Sequence, residues 1–422
     1  MIGDLRSAFE QVPDSRQPAK VGYSLSECYL SAFALFFVQD PSLLEFQRRF
    51  QETIQRNNLS TVFGIDAIPS DTQLRDVVDS HDCAAITEVY RQWFAKLQRA
   101  KKLEPYQTLG GYYLVTLDGS EYFTSEHVHC DRCLRRTKSN GRLEYYHQIL
   151  QPALVHPDHR EVIPLVPEFI RQQDGQDKQD CEVNAGLRAI KRLRSDHRQL
   201  PAVVVADALY ATERFITNLG NGRFSYILGV KRDSHKTLFQ DIAGLRRGAL
   251  LDRLEVTTPS GGRCLYEWVH DTRLFATKNA PPVNFIEFQM FDANGKRTRH
   301  FTWVTDLPIS THTVAQLVRA GRARWKIENE NFNTLKNHGY HLEHNFGHGK
   351  NHLSEAFFVL NLLAFFTHQI FAMVDSLYQQ ARAGFSARRE YWNVIRASLR
   401  LLLFESWDHL LTRIHGPPLP AF

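Results

Sequence analysis

Cysteine is scarce in this chain: six in 422 residues, unevenly spaced, do not make the disulfide framework of a secreted protein. The first residues include Asp4, Glu10 and Asp14 and offer no apolar stretch of the kind a signal peptide needs. Long unbroken hydrophobic runs are missing too. The longest, Ala356 to Val374, is interrupted by Asn361, Thr367, His368 and Gln369. It has the length to span a bilayer but reads as a buried helix. No internal repeat and no low-complexity tract occurs, so nothing points to a solenoid. Neither sign of charge dominates: 51 Lys and Arg against 46 Asp and Glu leave +5, compatible with a nucleic-acid partner without establishing one. These absences predict a soluble, cytoplasmic protein with no membrane partner.

What is present is a chain long enough for two or three domains, with 43% apolar residues to build their cores. Residues 1–105 read as a helical, DNA-binding domain. Ser42 stands where it would cap a helix running through Phe50, and Ser70 precedes Gln73 at the capping-box spacing. From about residue 106 the texture becomes strand-like, at 112–118, 121–129, 145–155, 161–166, 202–206 and 224–230. Helical spacing intervenes at 181–194 and 210–219. Residues 235–305 alternate short polar and apolar pieces around Gly261-Gly262 and Asn294-Gly295, as a β-rich insertion would. A long helix follows over about 311–336. The remainder, including 376–422, is helical and ends in a Pro-rich tail. The order predicts an α/β core, split into 106–234 and 306–375 by the insertion, beside a helical head.

Three acids stand out against this layout. Asp118 ends the apolar run Tyr112-Tyr-Leu-Val-Thr-Leu, and Asp207 ends Pro201-Ala-Val-Val-Val-Ala. Taken singly, each also reads as a turn residue. Glu328 lies in Arg324-Trp-Lys-Ile-Glu-Asn. At ~100° per residue it falls within about 60° of Arg324, Trp325, Phe332 and Leu335, while Glu330 lies ~200° away and faces solvent. This projection puts Glu328 on a core-facing stripe, with an ion pair to Arg324 as the simpler explanation of the same spacing. Two acids on core strands and a third on a helix match the donor set of a two-metal phosphoryl-transfer site, and all-oxygen ligation suits Mg²⁺ or Mn²⁺.

At these residues the chain resembles the DDE transposases of bacterial insertion sequences, and among them the IS-four group and its unclassified relatives. The resemblance rests on Leu117-Asp118-Gly119, Val204-Val-Ala-Asp207, Arg324-Trp-Lys-Ile-Glu328-Asn, the stretch Leu335 to Gly349, and Ile68-Pro-Ser-Asp-Thr-Gln-Leu-Arg75. It implies an RNase H-like mixed-sheet core, with Asp118, Asp207 and Glu328 as catalytic residues holding two Mg²⁺ (or Mn²⁺) ions. It further implies an enzyme that cuts element ends and joins them to target DNA, working as a homodimer on paired ends. The group's signature is Tyr, Arg, Glu and Lys with two, three and six residues between them. Arg324 and Glu328 match it; Gly321 stands where Tyr is expected and Leu335 where Lys is expected, with Lys336 one residue late. Arg322, Arg324, Lys326 and Lys336 are the expected DNA contacts. Trp325 reads as core or as a surface on which a displaced base could stack.

Other signals are weaker. Cys130 and Cys133 form a C-x-x-C, half of a structural zinc site. No second such pair follows, and His129 is too close to Cys130 for easy joint ligation, so the two read as buried or loop thiols. The histidines at 338, 341, 344, 348 and 352 read as a DNA-contacting or ordinary polar loop rather than a metal cluster, and the basic run Arg132 to Lys138 as phosphate contacts or solvated surface. Rival functions are a non-cutting DNA-binding descendant, a purely hydrolytic nuclease of the same fold, and a carboxylate glycosidase.

Overall fold

In the computed structural model, residues 2–17, 21–172, 181–277 and 281–416 are described; the Pro-rich tail lies outside them. The amino-terminal segment forms α1 (Ile2–Glu10), α2 (Leu25–Phe37), α3 (Leu43–Arg49), α4 (Thr53–Phe63), α5 (Asp71–Asp79) and α6 (Ala84–Arg99). Serine caps set three of the starts. The Ser24, Ser42 and Ser70 hydroxyls accept bonds from the backbone N–H of Glu27, Glu45 and Gln73, satisfying donors that the first turn leaves free. At Ser24 the Glu27 carboxylate also reaches back to complete a capping box.

The chain then makes β1 (Gln107–Thr108), β2 (Tyr112–Ser125), β3 (Leu134–Thr137), β4 (Leu143–Val155), β5 (Ile163–Pro164) and β6 (Glu168–Ile170). There follow α7 (Glu182–Asp196), β7 (Ala202–Ala206), α8 (Glu213–Asn221), β8 (Ser225–Gly229) and α9 (Lys236–Arg247). Four further strands are β9 (Asp252–Thr257), β10 (Arg263–Thr272), β11 (Val283–Phe291) and β12 (Arg297–Thr305). Among the described residues twelve strands form one sheet, ordered β3-β4-β2-β7-β8-β12-β11-β10-β9, with β1 on β2 and β5 and β6 on β4. β2 and β4 are antiparallel, whereas β2, β7 and β8 run parallel. This mixed sheet with helical layers is the expected RNase H-like α/β architecture. Two details differ from the sequence reading. β2 does not stop at Asp118, because Asp118 and Gly119 stay paired with Gln151 and Leu150, and the irregularity falls later, between Glu121 and Phe123. The segment 235–305 opens with a helix, and its strands extend the core sheet through β12 on β8.

The last part comprises α10 (Val314–Arg322), a π-helical turn (Ile327–Phe332), α11 (Asn333–Asn337), α12 (Leu353–Val374), α13 (Ser376–Ala383), α14 (Arg388–Leu401) and α15 (Trp407–His415). α12 is long and apolar enough to cross a membrane by length and composition, yet nearly every side chain from Leu353 to Ile370 is buried within this chain. Phe36 of α2 packs edge-on against Phe357, and Tyr90 of α6 donates a hydrogen bond to the Val359 carbonyl. The carboxy-terminal helices close the same body: Asn58 of α4 donates to the carbonyls of Leu399 and Leu402. The sequence's buried-helix reading of this run therefore agrees with the structure.

Candidate active site

Register fixes the two aspartates relative to one another. In the parallel ladder Val115 pairs with Val204 and Thr116 with Val205, an offset of 89 residues. Asp118 and Asp207 are separated by the same 89 positions, so continuing the ladder by two residues sets them level on strands about 4.8 Å apart. Asp207 follows the last residue of β7 and accepts a bond from the Leu209 N–H. Asp118 sits inside β2. The pair lies at the carboxyl end of a parallel strand where the sheet changes from antiparallel to parallel, the kind of position at which α/β sheets bind ligands.

Glu328 arrives from the π turn, which packs on β2. Arg324 joins the groups: its guanidinium lies 2.6 Å from a Glu328 oxygen and 3.6 Å from an Asp118 oxygen. The ion pair anticipated as the simpler explanation is thus present, and it includes the strand acid as well. The core-facing stripe is not. The Glu328 side chain is 45% exposed, more than that of Glu330 at 29%, which faces Arg160. Trp325, read first as core, is 51% exposed. The uniform projection failed because the helix is not uniform: Lys326 and Ile327 donate to carbonyls three residues back, and a π turn follows, so the phase advances unevenly.

A fourth carboxylate, missed in the sequence, lies beside Asp118 on the α7 side. Glu182, in the first turn of α7, accepts a bond from the Tyr210 hydroxyl at 2.8 Å. It lies against Gly119 so closely that a Cβ there would sit 2.2 Å from its Oε2. Its only sequence signal is an acid in a helix's first turn, which the helix dipole explains equally well. Burial pushes the Asp118 carboxyl up to about 7; Arg324 opposes the rise, and Glu328, Glu182 and Asp207 add to it. Burial likewise raises Glu182, against the Tyr210 hydrogen bond. Asp118 thus feels the other three acids, while Arg324 pairs with Asp118 and Glu328; oxygen donors of this kind suit a hard divalent cation.

Beside the acids runs a cleft of about 420 Å³ lined by Asp207, Lys231, Arg232, Arg322, Arg324 and Trp325, among others. A second hollow of about 520 Å³ continues it along β12, sharing Arg322 and Trp325. Of the expected DNA contacts, Arg322, Arg324 and Trp325 face this groove. Lys326 is turned away to the His159 carbonyl and Lys336 pairs with Glu343. The run Arg132 to Lys138 is largely occupied within the fold: Arg132 pairs with Glu355, Arg136 with Glu121 and Glu144, and Lys138 with Glu126 and Glu144. Arg75 donates to the Phe346 carbonyl and Asp71.

The departure at position 321 has a steric reason. A Cβ on Gly321 would lie 2.8 Å from the Trp303 ring and 3.2 Å from Ile227, so the indole of β12 fills the space that a larger residue would claim. Comparison with family models matches residues 103–366 to the transposase DDE domain. No curated protein matches the chain.

Proposed function

The chain belongs to the family of DDE transposases, enzymes that cut DNA and ordinarily use divalent metal ions, and from that premise we propose that it cuts and joins the ends of an insertion sequence of the IS-four type. Asp118, Asp207 and Glu328 are the catalytic acids in this reading, and their oxygens would hold two Mg²⁺ ions. When bound, the ions supply charge stabilisation at the attacking and leaving oxygens of a phosphodiester. The protein's own groups do the positioning. The β2–β7 ladder keeps Asp118 and Asp207 level. Arg324 holds Glu328 and Asp118 at one place and limits repulsion among the acids. Glu182 leans on Gly119 and crowds Asp118 from the α7 side. The cationic groove with Arg322, Lys231 and Arg232 takes the DNA backbone, and the exposed Trp325 offers a base a stacking surface. Water cleaves the element end; the freed 3′-hydroxyl then attacks a target phosphodiester, forming one P–O bond as another breaks, with the displaced 3′-oxygen of the target strand leaving. A homodimer holds both ends together.

The observation that carries this reading is the 89-residue register that sets two buried-strand acids side by side, with Glu328 tied to one of them through Arg324. The test compares Glu328→Gln with Glu330→Gln on labelled element-end DNA in Mg²⁺. Glu328→Gln is expected to lose cleavage and joining by at least a hundredfold, in the range seen when an electrostatic catalytic group is removed, while still binding DNA. Glu330→Gln, whose partner is the exposed Arg160, is expected to keep both. The reverse pattern would overturn the assignment, and cleavage without any joined product would favour the hydrolytic nuclease.

A further inference from the structure

Away from the acids, four soft ligands converge. Cys130 and Cys133 lie in the loop between β2 and β3, His147 on β4, and His348 in the segment between α11 and α12. Cys133, His147 and His348 are buried and Cys130 is partly so. The two sulfurs are 3.9 Å apart, too far for a disulfide. His147 Nε2 lies 3.5 Å from Cys130 Sγ and 3.4 Å from Cys133 Sγ, and His348 Nε2 lies 3.5 Å from Cys133 Sγ.

We propose that Cys130, Cys133, His147 and His348 form a structural zinc site that ties the segment following the catalytic helix to the edge of the sheet. The geometry is that of a preformed tetrahedron. With Zn–S near 2.3 Å and Zn–N near 2.0–2.1 Å, the edges of such a site are about 3.8 Å between sulfurs and about 3.5 Å between sulfur and nitrogen. The observed separations match both values. Hydrogen bonding gives a poorer account of the cluster, because thiols are weak donors and burying several polar groups for such bonds gains little. The surroundings are those of a closed site: the Phe123 ring lies 4.2 Å from that of His348, and Tyr122 stacks on His147 at 5.6 Å. Four protein ligands leave no open position, which marks a structural rather than a catalytic centre. Two thiolates and two imidazoles also select a different metal from the all-oxygen acid cluster. On binding, each cysteine gives up its proton to solvent.

The site explains one of the five downstream histidines. His348 turns inward, although nothing in its spacing sets it apart from its neighbours. It also reverses the reading of the C-x-x-C as isolated thiols, since the missing ligands come from 14 and 215 positions beyond Cys133. The test uses full-length protein from cells grown in zinc-containing medium, dialysed and analysed for metals. One zinc per chain is expected. Cys133→Ser and His348→Ala are expected to fall below about a tenth of that, and Asp118→Asn to keep it. If those variants fail to fold, wild-type protein from cobalt medium provides the second reading: tetrahedral ligand-field bands with thiolate charge transfer, and Cys130 and Cys133 protected from alkylation until a chelator is added. Zinc-free wild-type protein that takes up none of the added metal would overturn the proposal. So would zinc that survives Cys133→Ser but disappears with Asp118→Asn, or a Cys130–Cys133 disulfide in protein saturated with zinc.

Discussion

Asp118 carries the clearest pH signature. Its folded value of about 7 stands above the ordinary 3.8, so the folded protein holds this proton more tightly than the unfolded chain does. The stability it lends is complete below the ordinary value and is lost as pH rises through about 7. A divalent cation binds the ionised form, so the rise in melting temperature on adding Mg²⁺ should be larger at pH 8 than at pH 6. Asp118→Asn should remove most of that difference; equal Mg²⁺ increments at both pH values in the wild type would refute it. Gly321 gives a second test at this scale. Gly321→Ala drives a Cβ into the Trp303 ring and should destabilise by about 1–3 kcal/mol, as overpacking does. In urea denaturation the loss should shrink when Trp303→Ala is added, since the two changes share one space. The aspartates stood out only in combination, since each apolar run ending in an acid also reads as a strand running into a turn. Glu182 did not stand out, because its approach depends on a glycine 63 positions earlier in the chain.

The π turn shows where element reasoning stops. A one-residue bulge lets eight residues cover the rotation that seven cover in an α-helix, about 700°. The lysine that arrives one position late, Lys336, therefore lies close to the helical face that position 335 would otherwise take. Sequence spacing cannot announce such a bulge, since no residue type in Ile327–Phe332 requires it. Caps, by contrast, were readable: Ser42 and Ser70 both cap their helices, although Gln73 does not reach back to complete the capping box its spacing suggests. One cap comes from another element. Asp79, at the end of α5, accepts the backbone N–H groups of Lys350, Asn351, His352 and Leu353 at the start of α12. Burial pushes its carboxyl up, but these four donors win and hold it below its ordinary value. Its stabilisation is present above pH 3.8 and is lost as pH falls through the lowered folded value. Asp79→Ala should lower stability by about 1–2 kcal/mol, the range for losing a helix cap, read from urea midpoints at pH 7. An unchanged midpoint would show that the cap contributes nothing.

Across the whole molecule the helical head packs directly on the core. α2 and α6 pack on α12, which follows α11. A fragment of residues 106–422 should therefore fail to give a soluble chain with native near-ultraviolet dichroism. A well-folded fragment would show that the head is independent, as the sequence-based division into domains supposes. The contribution of the head to recognition of element ends is accordingly better probed with surface substitutions in the intact chain. Texture told the helical parts from the stranded ones. It could not tell that α2 and α12 meet, because partners more than 300 residues apart leave no periodic trace, nor that the strands of 252–305 would lengthen the core sheet instead of folding on their own.

The burial of α12 bears on how the protein is made. A ribosome delivers the chain amino end first, and domains begin to fold in that order. α1 to α6 are complete long before a 22-residue segment with membrane-like composition emerges. The partners of that segment, α2 and α6, are thus already synthesised when it emerges. Lesions in α2 would accordingly show first as poor yield of new protein, before any loss of activity in the molecules that finish folding.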